Sequence, residues 1–388
     1  MRVEASRLRR KLAQYYAGPG ADSSVRITIP KGHYRPTFLT PANDGNGLDL
    51  RGATIAPAVV KASVAIHDSR AVDCYHRGQY AARQRDAGMY AKAVELFRRA
   101  IALDPRFAAP YAALAMALLN IAGFVMSPSA PLLIEAAEAA QGALALDPES
   151  ADAYTALAAF MHRFHWDWAK AERLFERALA VGPESAVAHA SFAFALTARG
   201  RFAEAEQHIC CARELDPINV GLRAGQAQIL YYARRHAEAE AQLAGLLEIA
   251  PKHAFAEWLS GVNALYSGQP QAARAAFERA SAIFPDHPSP RLLVTATLAL
   301  EGRDREALDH LATLLANLGR QYCCKYHLAI AYAYLGDRNR MYAALDDAAA
   351  VRDALLVNLP VEPAFHAYHS EARFRSFRDA RGFASLEA

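Results

Sequence analysis

The stretch His162-Arg163-Phe164-His165-Trp166-Asp167-Trp168 groups the side chains best suited to metal chemistry: two histidines three residues apart with an aspartate two further on. Such donors can hold a metal when they converge. Here His165 to Trp168 reads as the turn between two helices, so the donors are expected to diverge and no metal site is assigned. Five cysteines, Cys74 and the neighbours Cys210/Cys211 and Cys323/Cys324, are an odd set without C-x-x-C spacing. They indicate neither a disulfide framework nor a zinc knuckle, and a reducing cytoplasm is the expected location. The vicinal pairs are expected at packed helical positions as small hydrophobes. There is no G-x-x-x-x-G-K-[ST], G-x-S-x-G, H-E-x-x-H or strand-anchored G-x-G-x-x-G, and Gly18-Pro19-Gly20 is a turn. No catalytic residue, cofactor or enzymatic activity is expected.

Charge suggests a different chemistry. The chain carries a net +3, but residues 1–40 hold eight Lys/Arg against Glu4 and Asp22, a surplus of six that leaves the other 348 residues at −3. Only this end has an electrostatic reason to meet a polyanion. Arg2 to Tyr16 places Val3, Leu8, Leu12 and Tyr15/Tyr16 near one helical face and Arg7, Arg10 and Lys11 elsewhere. After the turn AGPGADSS, the run VRITIPKGHYRPTF alternates across Pro30-Lys31-Gly32 as a short hairpin would. A basic helix followed by a basic hairpin is the second half of a winged helix. No apolar run of a signal peptide follows Met1, because Arg9, Arg10 and Lys11 stand where it would begin.

VEASRLRRKL resembles the recognition helix of response-regulator-type output domains, and ITIPKGHYRPTF resembles their wing, with Tyr34 as its packing aromatic. The resemblance implies contacts to double-stranded DNA from Ser6, Arg7 and Arg9 on the helix and from Thr28 and Lys31 on the wing. Arg2, Arg10, Lys11 and Arg35 complete the basic set. Arginines so placed chelate guanine edges or clamp phosphates. The sequence departs from that family at Glu4, which repels phosphate, at Pro30, and in having nothing ahead of residue 1 to serve as the supporting helices. Residues 1–38 therefore read as a partial winged helix of a truncated or alternatively started regulator. Residues 39–68, rich in Pro, Gly, Asn and Asp, read as a linker.

The rest of the chain is organised by a ladder of prolines, Pro105, Pro148, Pro183, Pro217, Pro251 and Pro285, each closing a short helical phrase such as RAIALDP or RALAVGP. From Pro148 the steps are 35, 34, 34 and 34 residues. A fixed period of that length means stacked helix pairs. With each proline at position 32 of a 34-residue unit, small residues recur at position 8 (Ala81, Ala115, Ala158, Ala193, Ala227, Gly261) and at position 20 (Ala93, Ala136, Ala171, Ala205, Ala239, Ala273). Large apolar residues recur at position 24 as Phe97, Phe175, Ile209, Leu243 and Phe277. This pattern resembles the tetratricopeptide (TPR) family over residues 69–350. It implies an all-α superhelical solenoid of about eight units, the last two degenerate, preceded by a small helix and β-hairpin fragment. The family's position 4 aromatic survives only at Tyr111 and Tyr154, and is Arg77, His189, Arg223, Glu257 or Arg291 elsewhere.

The first step, 43 residues, contains an insertion, NIAGFVMSPSAPL, expected to form a loop or lengthen the second helix pair. No charge occurs between Arg106 and Glu135, but prolines and Asn120 interrupt the run, so no membrane span is expected. Residues 351–388, with Phe365, Phe374, Phe377 and Phe383 between arginines, are expected to cap the stack.

The TPR resemblance places the first helix of each unit on a concave groove. Its groove-facing positions give His162, Arg163, Phe194, Gln228, Tyr231, Tyr232, Phe255, Trp258, Val262, Leu265 and Tyr266, besides Asp152 and Thr155. Aromatics there suit a protein or peptide partner. The Lys/Asn/Arg set with which some relatives clamp a terminal carboxylate is missing. Two readings stand: a non-enzymatic interaction scaffold, part of a transcriptional regulator with a residual DNA-binding element, or the sensor region of a signalling enzyme such as a nucleotide cyclase whose catalytic domain lies outside the chain.

Overall fold

Between consecutive helices of this chain the same local devices return every 34 residues. The computed structural model describes residues 67–83, 87–124, 130–285, 287–318 and 324–383, with short pieces at 13–14, 17, 26–28 and 37–39. The chain divides into two units, Met1–Ile66 and His67–Ala388. In the second unit the helices pair off as α1 (Ser69–Arg83) with α2 (Ala87–Leu103), α3 (Ala108–Phe124) with α4 (Ala130–Leu146), and α5 (Ala151–Phe160) with α6 (Trp168–Val181). The pairing continues with α7 (Ala186–Ala198) and α8 (Phe202–Leu215), α9 (Val220–Tyr232) and α10 (His236–Ile249), and α11 (Ala254–Tyr266) and α12 (Pro270–Ile283). Two further pairs complete the stack: α13 (Ser289–Leu300) with α14 (Asp304–Leu318), and α15 (Lys325–Tyr334) with α16 (Arg338–Ala350).

The turn inside each of the last six pairs holds one residue in the left-handed region. That position is filled by Trp166, Gly200, Arg234, Gly268, Gly302 and Gly336, each 34 residues after the last, with φ between 62° and 76°. The period thus runs on past Pro285 although the prolines stop. Between pairs, side-chain caps start the next helix: Ser150, Ser185 and Asn219 accept from backbone N–H groups of α5, α7 and α9. His253 caps α11 in the same way through its ring nitrogen, 3.1 Å from Ala256 N.

Packing follows the small-residue pattern. The alanines at positions 8 and 20 are buried, and Phe97, Phe175, Ile209, Leu243 and Phe277 are at most 1% exposed. Each such side chain contributes roughly 1.5–3 kcal/mol by leaving water. The fit is close enough that a Cβ at Gly78 or Gly261 would stand 2.5 Å from the ring of Phe97 or Phe277. In the two pairs without a ladder proline, Ala307, Leu311, Leu328, Ala329 and Leu345 are buried as well.

Position 4 turns out to require a hydrogen-bond donor more than an aromatic ring. The hydroxyls of Tyr111 and Tyr154 donate to the carbonyls of Pro105 and Pro148, and His189 and Arg291 donate to Pro183 and Pro285, each six residues back. The carbonyl before each helix is satisfied in all four pairs. His189 must carry a proton on Nε2 to do this, and its Nδ1 lies 2.9 Å from His208 Nδ1.

The inserted residues lengthen the second pair: α3 and α4 have 17 residues each, against 13 or 14 in α7 to α12. Among the described residues no helix is long and apolar enough to cross a membrane. Cys74 and Cys324 are buried, but Cys210 is exposed, so burial as a small hydrophobe does not extend to that member of the vicinal pair.

In the first unit, β1 (Arg26–Thr28) pairs antiparallel with β2 (Thr37–Leu39), Ile27 opposite Phe38. Eight residues separate the strands, so the register is wider than a tight turn at Pro30-Lys31-Gly32 would give. Thr28 lies at the end of β1, opposite Thr37. Arg2, Ser6, Arg7, Arg9, Arg10, Lys11, Lys31 and Arg35 lie outside the described residues, as does nearly all of the expected recognition helix.

The chain after α16 does more than cover the last pair. Arg352 adopts a left-handed turn (φ 57°), 3-10 turns come next at Ala354–Asn358 and Pro363–Tyr368, and α17 (Ala372–Asp379) closes the segment. Phe365, Phe374 and Phe383 are buried. The segment also returns along the stack: Ala354 lies beside Gly123 of α3, and Ala354–Asn358 packs against α3 and α7. The Arg352 guanidinium sits 3.9 Å over the ring of Trp166, whose edge also meets Phe383 at 5.3 Å.

Candidate functional site

The first helices of all eight pairs, α1 to α15, face one continuous concave channel of about 630 Å³. Tyr75 and Gln79 come from α1, Asp152 from α5, Phe194 from α7, Gln228 from α9, Phe255 and Trp258 from α11, and His327 from α15; Leu355 and Val357 of the C-terminal segment form part of its wall. Phe255 and Trp258, three residues apart on α11, stack with ring centroids 5.7 Å apart and an interplanar angle of 12°. The Trp258 indole N–H is buried without a hydrogen-bond partner. The Tyr75 hydroxyl accepts from the Gln79 amide at 2.8 Å. Its pKa is pushed up to about 12, by burial first and then by the charge of Asp152.

After α5 the helix widens into a π-turn at Met161–His165, which carries His162 and Arg163. Such a turn inserts an extra residue into the helical spiral and rotates the residues after it, and it occurs often at functional sites. Arg163 reaches across to the second pair, donating to Asn120 Oδ1 at 3.1 Å and to the Leu119 carbonyl at 3.2 Å. His162 is buried, edge-on to Trp168 at 4.8 Å. Burial, then the charges of Arg163 and Arg199, push its pKa down to about 3, so it is neutral. His165 is exposed on the other side of the turn, and among the described residues no group of three His, Cys, Asp or Glu is placed to hold a metal.

The expected groove residues divide into two sets. His162, Arg163, Phe194, Gln228, Phe255 and Trp258 line the channel. Tyr231, Tyr232, Val262 and Leu265 are buried, Val262 and Leu265 in the main core. Tyr266 is half-buried and donates its hydroxyl to Glu362. Tyr231, Tyr232 and Tyr266 are closed off by Glu362 of the C-terminal segment, which faces all three. Thr155 is buried too and bonds its own helix at Ala151 O. Repeat position alone predicted which face each side chain occupies. It carried no information on what else covers that face.

Glu362 is the residue that sequence reasoning missed. Its carboxyl is 2% exposed and accepts hydroxyl hydrogen bonds from Tyr326 (3.0 Å), Tyr232 (3.4 Å) and Tyr266. These tyrosines belong to three different pairs. Burial raises the carboxyl's pKa to about 7, and the three hydroxyls only partly oppose it. The one signal in the sequence was a lone glutamate within the apolar run Leu355 to Phe365.

The helix pairs, their 34-residue period and their alanine-lined contacts define a tetratricopeptide-like solenoid. No protein-family model matches the chain, and no curated protein does. Solved structures do match. One is pilF of Pseudomonas aeruginosa, 20% identical over 60% of this chain and 98% of that one, with a TM-score of 0.39. Another is YrrB, a TPR protein with an unusual peptide-binding site, 26% identical over 50% of this chain and 95% of that one (TM-score 0.32). Yeast Tom70 is 16% identical over 81% of this chain and 69% of its own (TM-score 0.46).

Proposed function

We propose that the chain is an interaction scaffold that holds an extended segment of a partner protein in the open part of its concave channel. The observation that supports this most is the channel left beside the C-terminal segment, walled by the stacked Phe255–Trp258 pair, Phe194 and Gln228. Rigid aromatic side chains bury large area at low entropic cost, and amide groups satisfy a bound backbone. A photo-crosslinker at Phe194 should trap a defined segment of a partner in cells. Trp258→Ala should reduce that capture at least tenfold, the loss of a central aromatic anchor being worth about 2 kcal/mol. Equal capture by a folded Trp258→Ala protein would refute the assignment.

A second reading, a DNA-binding element in a transcriptional regulator, rests on the surplus of six positive charges in residues 1–40 and on the β1–β2 pairing. A duplex titration over a salt series tests it. Phosphate contacts would give affinity that falls steeply with salt, and no binding at low salt would remove the reading.

A further inference from the structure

Part of the concave face already has an occupant from the chain itself. Residues after Val351 lie along it, held at their start by Arg352 on Trp166 and by Asp353. The Asp353 carboxylate is fully buried and accepts from the Tyr326 and Leu355 N–H groups. At the other end Phe365 and Phe374 are fully buried, and the Tyr368 hydroxyl donates to Ala333 O at 3.0 Å. Between these anchors the Glu362 side chain enters a cage of hydroxyls. Facing it are Tyr231 and Tyr232 from α9, Tyr266 from α11, and Tyr326 and Tyr334 from α15, while its own segment supplies the Ala364 N–H. Asp353 lies beyond Tyr326 and adds a second negative charge to that side. Hydroxyls both donate and accept, so this cage can satisfy the neutral acid as well as the carboxylate. Among the described residues it offers an ionised carboxylate hydrogen bonds but no opposite charge, and an ion taken out of water without one is costly.

We propose that residues 351–383 are a proton-locked plug of the groove, seated while the Glu362 carboxyl is neutral and loosened when it ionises, so that protonation sets how much of the groove a partner finds open. The regulation rests on the groove being the partner-binding surface argued above; the lock itself does not. The direction comes from linkage. The seated carboxyl has its pKa raised from 4.5 to about 7. Below the lower value both seated and released forms are neutral, and seating carries no penalty. As pH rises between the two values the released form ionises first, and the seating equilibrium weakens by up to about tenfold per pH unit. Above the higher value the weakening is complete.

Hydrogen exchange on the full chain at pH 5.5 and 7.5, each corrected for intrinsic exchange, tests this without any partner present. Relative to amides in α7 and α8, which follow the stack as a whole, protection of amides in 354–368 should fall on the order of tenfold at the higher pH. Glu362→Gln, which keeps the shape but cannot ionise, should abolish this fall relative to α7 and α8. Wild-type protection in the segment that keeps step with α7 and α8, or the same relative loss in Glu362→Gln, would each overturn the lock. If Glu362→Gln does not fold, the wild-type contrast between the segment and α7/α8 still decides. Failure here leaves the capture experiment at Phe194 and Trp258 untouched, and failure of capture leaves the exchange result standing.

Discussion

Replacing Arg234 by glycine should stabilise the protein, although it deletes a whole side chain. Arg234 stands in the left-handed region at φ 62°, where Gly200, Gly268, Gly302 and Gly336 stand in equivalent turns. Its backbone makes the same turn bonds as Gly268: Arg234 N to Tyr231 O and Arg235 N to Leu230 O, against Gly268 N to Leu265 O and Gln269 N to Ala264 O. The Arg234 side chain is exposed, so little packing is lost. An L-residue in this region costs about 1–2 kcal/mol, and glycine gives back about 0.5–1 kcal/mol through the freedom it loses on folding. The net gain is on the order of 0.5–1 kcal/mol, or roughly two- to fivefold in the local opening equilibrium. Amide exchange in α9 and α10 is the suitable assay, because stacked repeats open locally and a single global melting midpoint averages over them. Gly268→Ala is the mirror experiment. No atom lies within 4 Å of the added Cβ, so its expected loss of about 1 kcal/mol is backbone alone. If Arg234→Gly lowers protection in α9 and α10, or Gly268→Ala raises it in α11 and α12, the account of the turns is wrong.

Acid should destabilise the stack from about pH 6.5 downward, because His162 and His327 are buried with pKa values pushed down to about 3. The unfolded chain takes up those protons first, giving a slope of up to roughly 1.4 kcal/mol per pH unit for each histidine. Measured in Glu362→Gln, which removes the opposing gain from that carboxyl, denaturant midpoints between pH 7 and 4 should fall accordingly, and less steeply when His162→Phe is added; an unchanged slope would count against it. His189→Phe should cost about 0.5–1.5 kcal/mol by leaving the Pro183 carbonyl without its donor. His189→Tyr should be tolerated, since Tyr111 and Tyr154 make the same bond; equal stability of the two variants would refute the donor role.

The repeats were readable in the residues because each device that builds them is local. A small residue at position 8, a ladder proline and a capping serine act within one helix pair and recur at a fixed spacing. Position 4 was legible only as an irregularity. That Tyr154, His189 and Arg291 do one job becomes visible only when the carbonyl six residues back is seen to be the common acceptor. At residues 1–40, charge and alternation suggested a basic helix and hairpin, and of these the structure describes the two paired strands.

The groove was half legible, for a physical reason. Helical periodicity decides the face on which Phe194, Gln228 and Trp258 lie, since i, i+3 and i+4 neighbours share a face whatever the rest of the chain does. Whether a side chain on that face meets solvent depends on contacts between residues far apart in the chain. Tyr232 and Glu362 are 130 residues apart, and Tyr266 and Glu362 are 96 apart. No local pattern records such a meeting, because its free energy belongs to the closed arrangement of three helix pairs around one carboxyl. Period, helix pairing and the faces of the helices are therefore written in the order of the residues. The covering of Tyr231, Tyr232 and Tyr266 by the chain's own C-terminal segment, and the open channel left beside it, arise only when the eight pairs are stacked.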